Sequence, residues 1–275
     1  MRVIYALWLR NFKTFLRNKT ALIFNLISPF FFVYIFAGIF KHEGIGNASA
    51  FMLSGVIITM VFESTMRISA STIDDMTGGF MKEVLVSPIS RLNIAIAQFI
   101  SSATVATIQG LIIYVLGLFT GLSLSPSALL LTIPVMIFVG LVFSGLGLFI
   151  ATKAKNIQTF QAVSLAVTMP LVFLSGAYIP LSLLPNAMQW FAYFNPLSYA
   201  VILFRAVTLG KLNSSGAELV HESIAFKIGS FTVTPIIAFG VLAVFGILFL
   251  FLSTISFLKV DFSKMNRNKK DLIDF

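Results

Sequence analysis

The chain has 275 residues, of which 58% are hydrophobic and only 11% charged, with 30 Phe and no Cys. Soluble domains average about 25% charged residues, so a water-soluble globular fold is excluded. The missing cysteine excludes a disulfide framework and thiolate metal sites, and the placement of the +9 net charge speaks against nucleic acid, as the chain order shows.

Residues 2–19 pattern as a basic amphipathic helix. Ile4, Leu7, Trp8, Phe12 and Phe15 fall on one face, and Arg2, Arg10, Lys13 and Arg17 on the other. Such a helix is expected to lie along the lipid headgroups, either as a topology anchor or with a mechanical role. No cleavable signal peptide is expected, because the first apolar run is long and follows this basic stretch.

Uncharged runs then cover residues 20–40, 44–62, 92–152, 156–204 and 228–258. One crossing takes about 20 residues. Span 1 is read at 21–40, with Pro29 inside it, and span 2 at 49–73. Span 2 carries Glu63 and Arg67, four residues apart on one helical face. Two readings stand: a polar feature lining a path, or a self-neutralising pair with Arg67 snorkelling to the headgroups. The loop 74–91 reads DDMTGGFMKEVLVSPISR. Gly78-Gly79 breaks the preceding helix, residues 80–86 make about two turns of amphipathic helix, and Pro88 stops them. That short helix needs a surface to pack on, either the membrane or a soluble partner.

Spans 3 and 4 are read at 93–122 and 128–151, a hairpin turning near residues 123–127. Gly117 with Gly121, and Gly140 with Ser144, are spaced for close helix packing inside the protein. Span 5 is read at 157–178. After it, FLSGAYIPLSLLPNAMQWFAYFNPLSYAVILFR (173–205) is apolar but broken by Pro180, Pro185 and Pro196. Broken backbone at membrane depth survives only where protein or water covers it, so 179–200 is read as a re-entrant outer segment. An outer loop at 211–230, span 6 at 232–258 and a polar tail at 259–275 complete the chain.

With six crossings, one side holds Arg2, Arg10, Lys13, Arg17, Lys19, Lys82, Arg91, Lys153, Lys155 and the basic tail. The other holds Lys41, Lys211 and Lys227, with Arg205 near its boundary. This is the positive-inside bias, with both ends cytosolic. A seventh crossing at 187–209 would put the basic tail outside and is rejected.

Catalytic signatures are missing. There is no G-x-x-x-x-G-K-[ST] loop for ATP, no H-E-x-x-H and no G-x-S-x-G. His42 and His221 are not spaced as metal ligands. Glu63 is the one acid placed to carry a proton at depth, and ion-driven carriers usually need more.

Three features together resemble the ABC-2-type permeases, the membrane subunits of ATP-binding cassette exporters. They are the basic helix before span 1, GGFMKEVLVSPISR after span 2, and the 173–205 segment with its spaced prolines, Asn-Pro and Arg. The resemblance covers essentially the whole chain, read as one transmembrane domain, 1–275. It implies an all-α polytopic protein of the cell membrane with six spans, an interfacial helix and re-entrant outer helices. It also implies a second permease copy and two cytosolic ATPase subunits, with ATP and magnesium on those partners and no cofactor on this chain. Phe80, Met81, Lys82, Glu83, Val84, Leu85 and Pro88 would form the ATPase-coupling helix. Gly176, Tyr178, Pro180, Pro185, Asn195, Pro196 and Tyr199 would form the outer gate. The stretch before span 1 lacks the Arg-Tyr-rich and Gly-x-x-Trp features of polysaccharide permeases, so the chain looks more like the drug- and antibiotic-export branch. The expectation is a multidrug-type exporter of an apolar or amphipathic substrate. The alternatives are export of a lipid-linked glycan or teichoic-acid-type polymer, an ion-coupled carrier using Glu63, and a non-transporting membrane scaffold.

Overall fold

The computed structural model describes residues 2–17, 19, 23–25, 27, 29–31, 33–34, 48–77, 90–119 and 128–260. Among them the fold is helical apart from one two-residue-strand hairpin. In lipid every backbone N–H and C=O must find a partner within the protein, which only helices and closed barrels achieve across the hydrocarbon. The basic amphipathic stretch becomes α1 (Arg2–Arg17), and the long apolar runs accordingly become α2 (Ala48–Thr77), α3 (Arg91–Phe119), α4 (Leu129–Lys153) and α5 (Ile157–Phe173). A 3₁₀ turn (Leu181–Leu183) leads to α6 (Asn186–Phe194), α7 (Pro196–Thr208), α8 (Gly216–His221) and α9 (Pro235–Leu258). The described residues of the first predicted span are helical.

Four described helices are long and apolar enough to cross a membrane: Ser49–Met76, Arg91–Leu118, Leu129–Lys153 and Pro235–Lys259. They divide the burial unequally. The apolar window of α2 is 89% buried and that of α9 22%, so α2 is the axis of the domain and α9 its rim. Side chains such as Ile236, Val244, Ile247 and Phe251 on α9 are exposed, which suits a lipid-facing surface. Around α2 the helices interlock tightly. Phe62 meets Phe143 of α4 edge-on, ring centroids 4.6 Å apart. A Cβ on Gly140 would lie 2.9 Å from the Ala103 Cα of α3, so the small-residue spacing serves internal packing at that position.

The amphipathic helix does not lie on lipid alone. Trp8 Nε1 donates to Thr104 Oγ1 of α3 at 3.2 Å, and Asn11 Nδ2 to Gln98 Oε1 at 3.2 Å. Leu7 packs beside Met76, Ile94 and Phe99. The expected headgroup-bound face is thus largely a docking face, because polar groups beside the Trp8 and Phe12 ring stack find partners on α3.

Span 5 is shorter than the hydropathy suggests. Its helix ends at Phe173 rather than Tyr178. Leu174 N–H still bonds Pro170 C=O, and then Gly176 takes φ +81°, which turns the chain back. Beyond it, Pro185 N-caps α6. Asn195 ends α6 and N-caps α7, with Pro196 in its first turn. The Asn195 side chain accepts from Leu197 N–H and donates to Leu171 C=O at 2.7 Å. One amide therefore starts α7 and straps it to α5. The predicted outer loop 211–230 is more ordered than a loop. It holds α8 and an antiparallel hairpin, Lys227–Ile228 with Phe231–Thr232. Lys211 Nζ donates to Glu218 at 2.6 Å and Glu222 at 2.7 Å, and these bonds push its ammonium up to about 12. Helix α9 starts at Pro235 instead of Thr232, since Thr232 is held in the hairpin and proline suits a first helical turn.

Candidate transport cavity and its closures

A cavity of about 640 Å³ opens between α2 and α5, with Pro29 of the first predicted span on its wall. Ligand-sized cavities run from about 300 to 1,000 Å³. The wall is mainly apolar, with Met60, Met66, Leu165, Met169 and Phe173 on it. Into this wall α2 sets the two charges singled out by the sequence. Arg67 Nη1 lies 3.7 Å from Glu63 Oε2, one turn apart. Their side chains remain 41% and 30% exposed, for Arg67 and Glu63 respectively, so the pair faces the cavity rather than vanishing into the core. Both readings of this pair, a polar feature lining a path and a self-neutralising pair, are compatible with this geometry. Gln161, Ser164 and Thr168 of α5 add neutral polar groups, and among the described residues the buried Ser164 hydroxyl has no hydrogen-bond partner. Tyr178 also lines the cavity, its OH 3.4 Å from Thr59 Oγ1. An apolar chamber with one self-compensated ion pair and an unsatisfied hydroxyl can hold an amphipathic molecule without stranding a net charge.

Beyond Tyr178 the broken segment folds against α2 and α5, and Arg205 holds it there. Arg205 was expected near the outer boundary. It lies in α7 at 1% exposure, the largest fully buried side chain. Its Nη1 donates to Gly176 C=O at 2.8 Å, its Nη2 to Ala177 C=O at 2.7 Å and its Nε to Phe51 C=O at 3.3 Å. The guanidinium carbon sits 3.4 Å from the centre of the Phe51 ring. The Gly176 and Ala177 carbonyls stand just past the C-terminus of α5, where the helix dipole is negative. Gly55 makes room for this clamp, since a Cβ there would lie 2.2 Å from Ala177 O. A usable signal was present, because Arg205 is the first charge after the uncharged run 156–204.

The other residues read as an outer gate lie in the same segment. Pro180 precedes the 3₁₀ turn. Tyr199 OH donates to Tyr193 C=O at 2.6 Å, and its ring meets Phe226 edge-on. Gly176, Tyr178, Asn195 and Pro196 are placed as given above. At the opposite end, Phe80, Met81, Lys82, Glu83, Val84, Leu85 and Pro88 lie outside the described residues. The anchors of their loop are visible. Before it, Asp75 of α2 takes a two-pronged ion pair from Arg10 of α1, with Nη1 to Oδ2 at 2.8 Å. After it, Arg91 Nη1 donates to Leu258 C=O at 2.8 Å and Val260 C=O at 3.0 Å. Sequence reasoning missed both anchors, since neither pair is close in the chain.

A sequence model of the ABC-2 type transporter family matches residues 2–209. The chain belongs to that family. Everything from the docked N-terminal helix through the Arg205 clamp falls within the match, while α8, the hairpin and α9 follow it. Among related proteins, nodulation protein J of Rhizobium leguminosarum bv. trifolii is 30% identical over 74% of this chain and 80% of its own. Nodulation protein J of Rhizobium leguminosarum bv. viciae is 27% identical over 75% and 82%. The putative transport permease ycf38 of Porphyra purpurea is 28% identical over 72% and 71%. This ABC-2 family protein is thus a multi-pass membrane protein related to transport permeases. None of those names specifies a cargo.

Proposed function

We propose that the chain is the permease subunit of an ATP-driven exporter that moves an apolar or amphipathic compound out across the cytoplasmic membrane. The single observation that carries this reading is the α2–α5 cavity, apolar but furnished with Glu63, Arg67 and the unsatisfied Ser164 hydroxyl. The energy is expected from a separate ABC ATPase, because this sequence has no P-loop. Residues 80–86 would be the docking helix, and the Arg10–Asp75 and Arg91 anchors would pass its movement to α1, α2 and α9. A second permease copy would face the cavity along α5, whose Val163, Leu165, Met169 and Phe173 are exposed.

The decisive experiment reconstitutes the chain with an ABC ATPase encoded by a neighbouring gene. Replacing Glu83 and Leu85 together with Ala is expected to weaken the complex about tenfold or more, as loss of interface anchors does. It should also abolish substrate-stimulated hydrolysis. Intact stimulation in that variant would remove the coupling role. A second reading has one observation behind it, namely that Glu63 lies on the cavity wall. It would prevail if the chain alone drove uphill transport on a proton gradient and Glu63→Gln stopped it.

Six crossings with both ends cytosolic are proposed, of which four are described helices long enough to cross. At 1.5 Å per residue, α6 and α7 reach only about 14 and 20 Å against a hydrocarbon thickness of about 30 Å. They are proposed as the re-entrant pair of the outer segment 179–200. Single cysteines at Ser182 and Ser214 should therefore both react with an impermeant reagent on intact cells. Labelling of Ser214→Cys only after permeabilisation would overturn this topology.

A further inference from the structure

A second, smaller cavity of about 190 Å³ lies on the far side of the Arg205 clamp, between the turn after α5, α6, α7 and the start of the hairpin. Its polar lining is unusual for this chain. Ser175, Ser182, Gln189 and Ser223 share the wall with two cations, Arg205 and Lys227, and no Asp or Glu lines it. Among the described residues neither Arg205 nor Lys227 has a carboxylate within ion-pair range, whereas nearby Lys211 is neutralised by Glu218 and Glu222.

The Arg205 side chain is held before any ligand arrives. Three of its five N–H groups are spent on the Phe51, Gly176 and Ala177 carbonyls. These satisfy hydrogen bonds but do not cancel a full charge, and a buried charge left uncompensated is costly. Among the described residues the other two N–H groups have no acceptor. Lys227, on the exposed first strand of the hairpin, supplies an ammonium to the same cavity. A planar donor fixed in the wall of a cavity that a long-stemmed cation also lines is an arrangement suited to a phosphate-type oxyanion. At about 30 Å³ per water, the cavity has room for such a group and part of its hydration shell.

We infer that this cavity is an anion subsite, taking one phosphate-type oxyanion between Arg205 and Lys227, separate from the transport cavity between α2 and α5. The oxyanion would come either from solution or from the headgroup of an anionic lipid. The subsite does not depend on what the protein carries, because Glu63, Arg67 and α5's cavity face take no part in it. With an anion bound, the turn after α5, α6 and the hairpin are tied to one charge, which makes closure of this end responsive to the anion.

The test uses the full-length chain purified in detergent, with Lys227→Gln as the variant, since Lys227 is exposed and its loss leaves the Arg205 clamp whole. Lys153→Gln, an equal charge change at the end of α4, is the control. In one arm inorganic phosphate replaces gluconate at fixed ionic strength and the melting temperature is followed. In the other, phosphatidylglycerol is added and lipid retention is counted by native mass spectrometry. A saturable stabilisation by phosphate, or one retained phosphatidylglycerol per chain, is expected for wild type and the Lys153→Gln control. Lys227→Gln should raise the half-saturating concentration at least about fivefold, the worth of one screened charge pair. The arm that responds names the source. No saturable response in either arm, or equal loss in Lys227→Gln and Lys153→Gln, overturns the inference.

Discussion

Replacing Gly55 with Ala is expected to cost about 3 kcal/mol or more of stability. The new Cβ would stand 2.2 Å from Ala177 O and 2.8 Å from Arg205 Nη2. Both neighbours are fixed, one as backbone and the other as a guanidinium tied to three carbonyls. Overpacking of this kind costs about 1–3 kcal/mol, and a hydrogen bond to a charged donor adds about 1.5–3. Relief requires α2 to separate from the turn after α5, which would also loosen the Tyr178 wall of the cavity. Thermal unfolding in detergent, run beside Gly240→Ala, checks it. Nothing lies within 4 Å of a Cβ on Gly240, so that variant should melt at or slightly above wild type. Equal midpoints for the two variants would mean that the clamp does not need Gly55.

Arg205→Met is expected to be the most damaging single change in the outer half. Among the described residues, Arg205 is the donor to both the Gly176 and Ala177 carbonyls. Without it, two buried acceptors are stranded at about 1–3 kcal/mol each, and the cation over the Phe51 ring is lost. Arg205→Lys should recover only part of this, because a compact ammonium cannot span three carbonyls as a planar fork does. Poor accumulation in the membrane and a lowered melting point are the readouts, with Lys between Met and wild type. The double variant with Gly55→Ala should lose less than the sum of the two, since both act through Ala177 O. A wild-type melting point for Arg205→Met would show the clamp to be incidental.

Much of this protein is legible one residue at a time. The position of α2, α3, α4 and α9 follows from uncharged length, because lipid demands about 20 apolar residues per crossing wherever they fall. The breaks around Pro180, Pro185 and Pro196 are equally local, since each proline removes a donor in its own turn. The Glu63–Arg67 pairing follows from four-residue spacing, although its exposure to a cavity does not. Misreadings occurred where a neighbour from elsewhere in the chain took over. Helix α1 was expected on headgroups, yet Trp8 and Asn11 find Thr104 and Gln98 on α3. The expectation that Arg205 lies near the outer boundary says nothing of its burial against Phe51, which distant residues impose.

What the sequence by itself determined was the membrane class, the apolar helices, the missing nucleotide loop and the resemblance to ABC-2 permeases. Each of these rests on composition or short-range spacing. The tertiary structure alone decided that α2 and α5 enclose a cavity, that Gly55 leaves room for the Ala177 carbonyl, and that Arg205 is a clamp. The reason is geometric. The Phe51 carbonyl that receives Arg205 Nε is 154 residues away along the chain, and no local pattern records which distant carbonyl a buried guanidinium will meet.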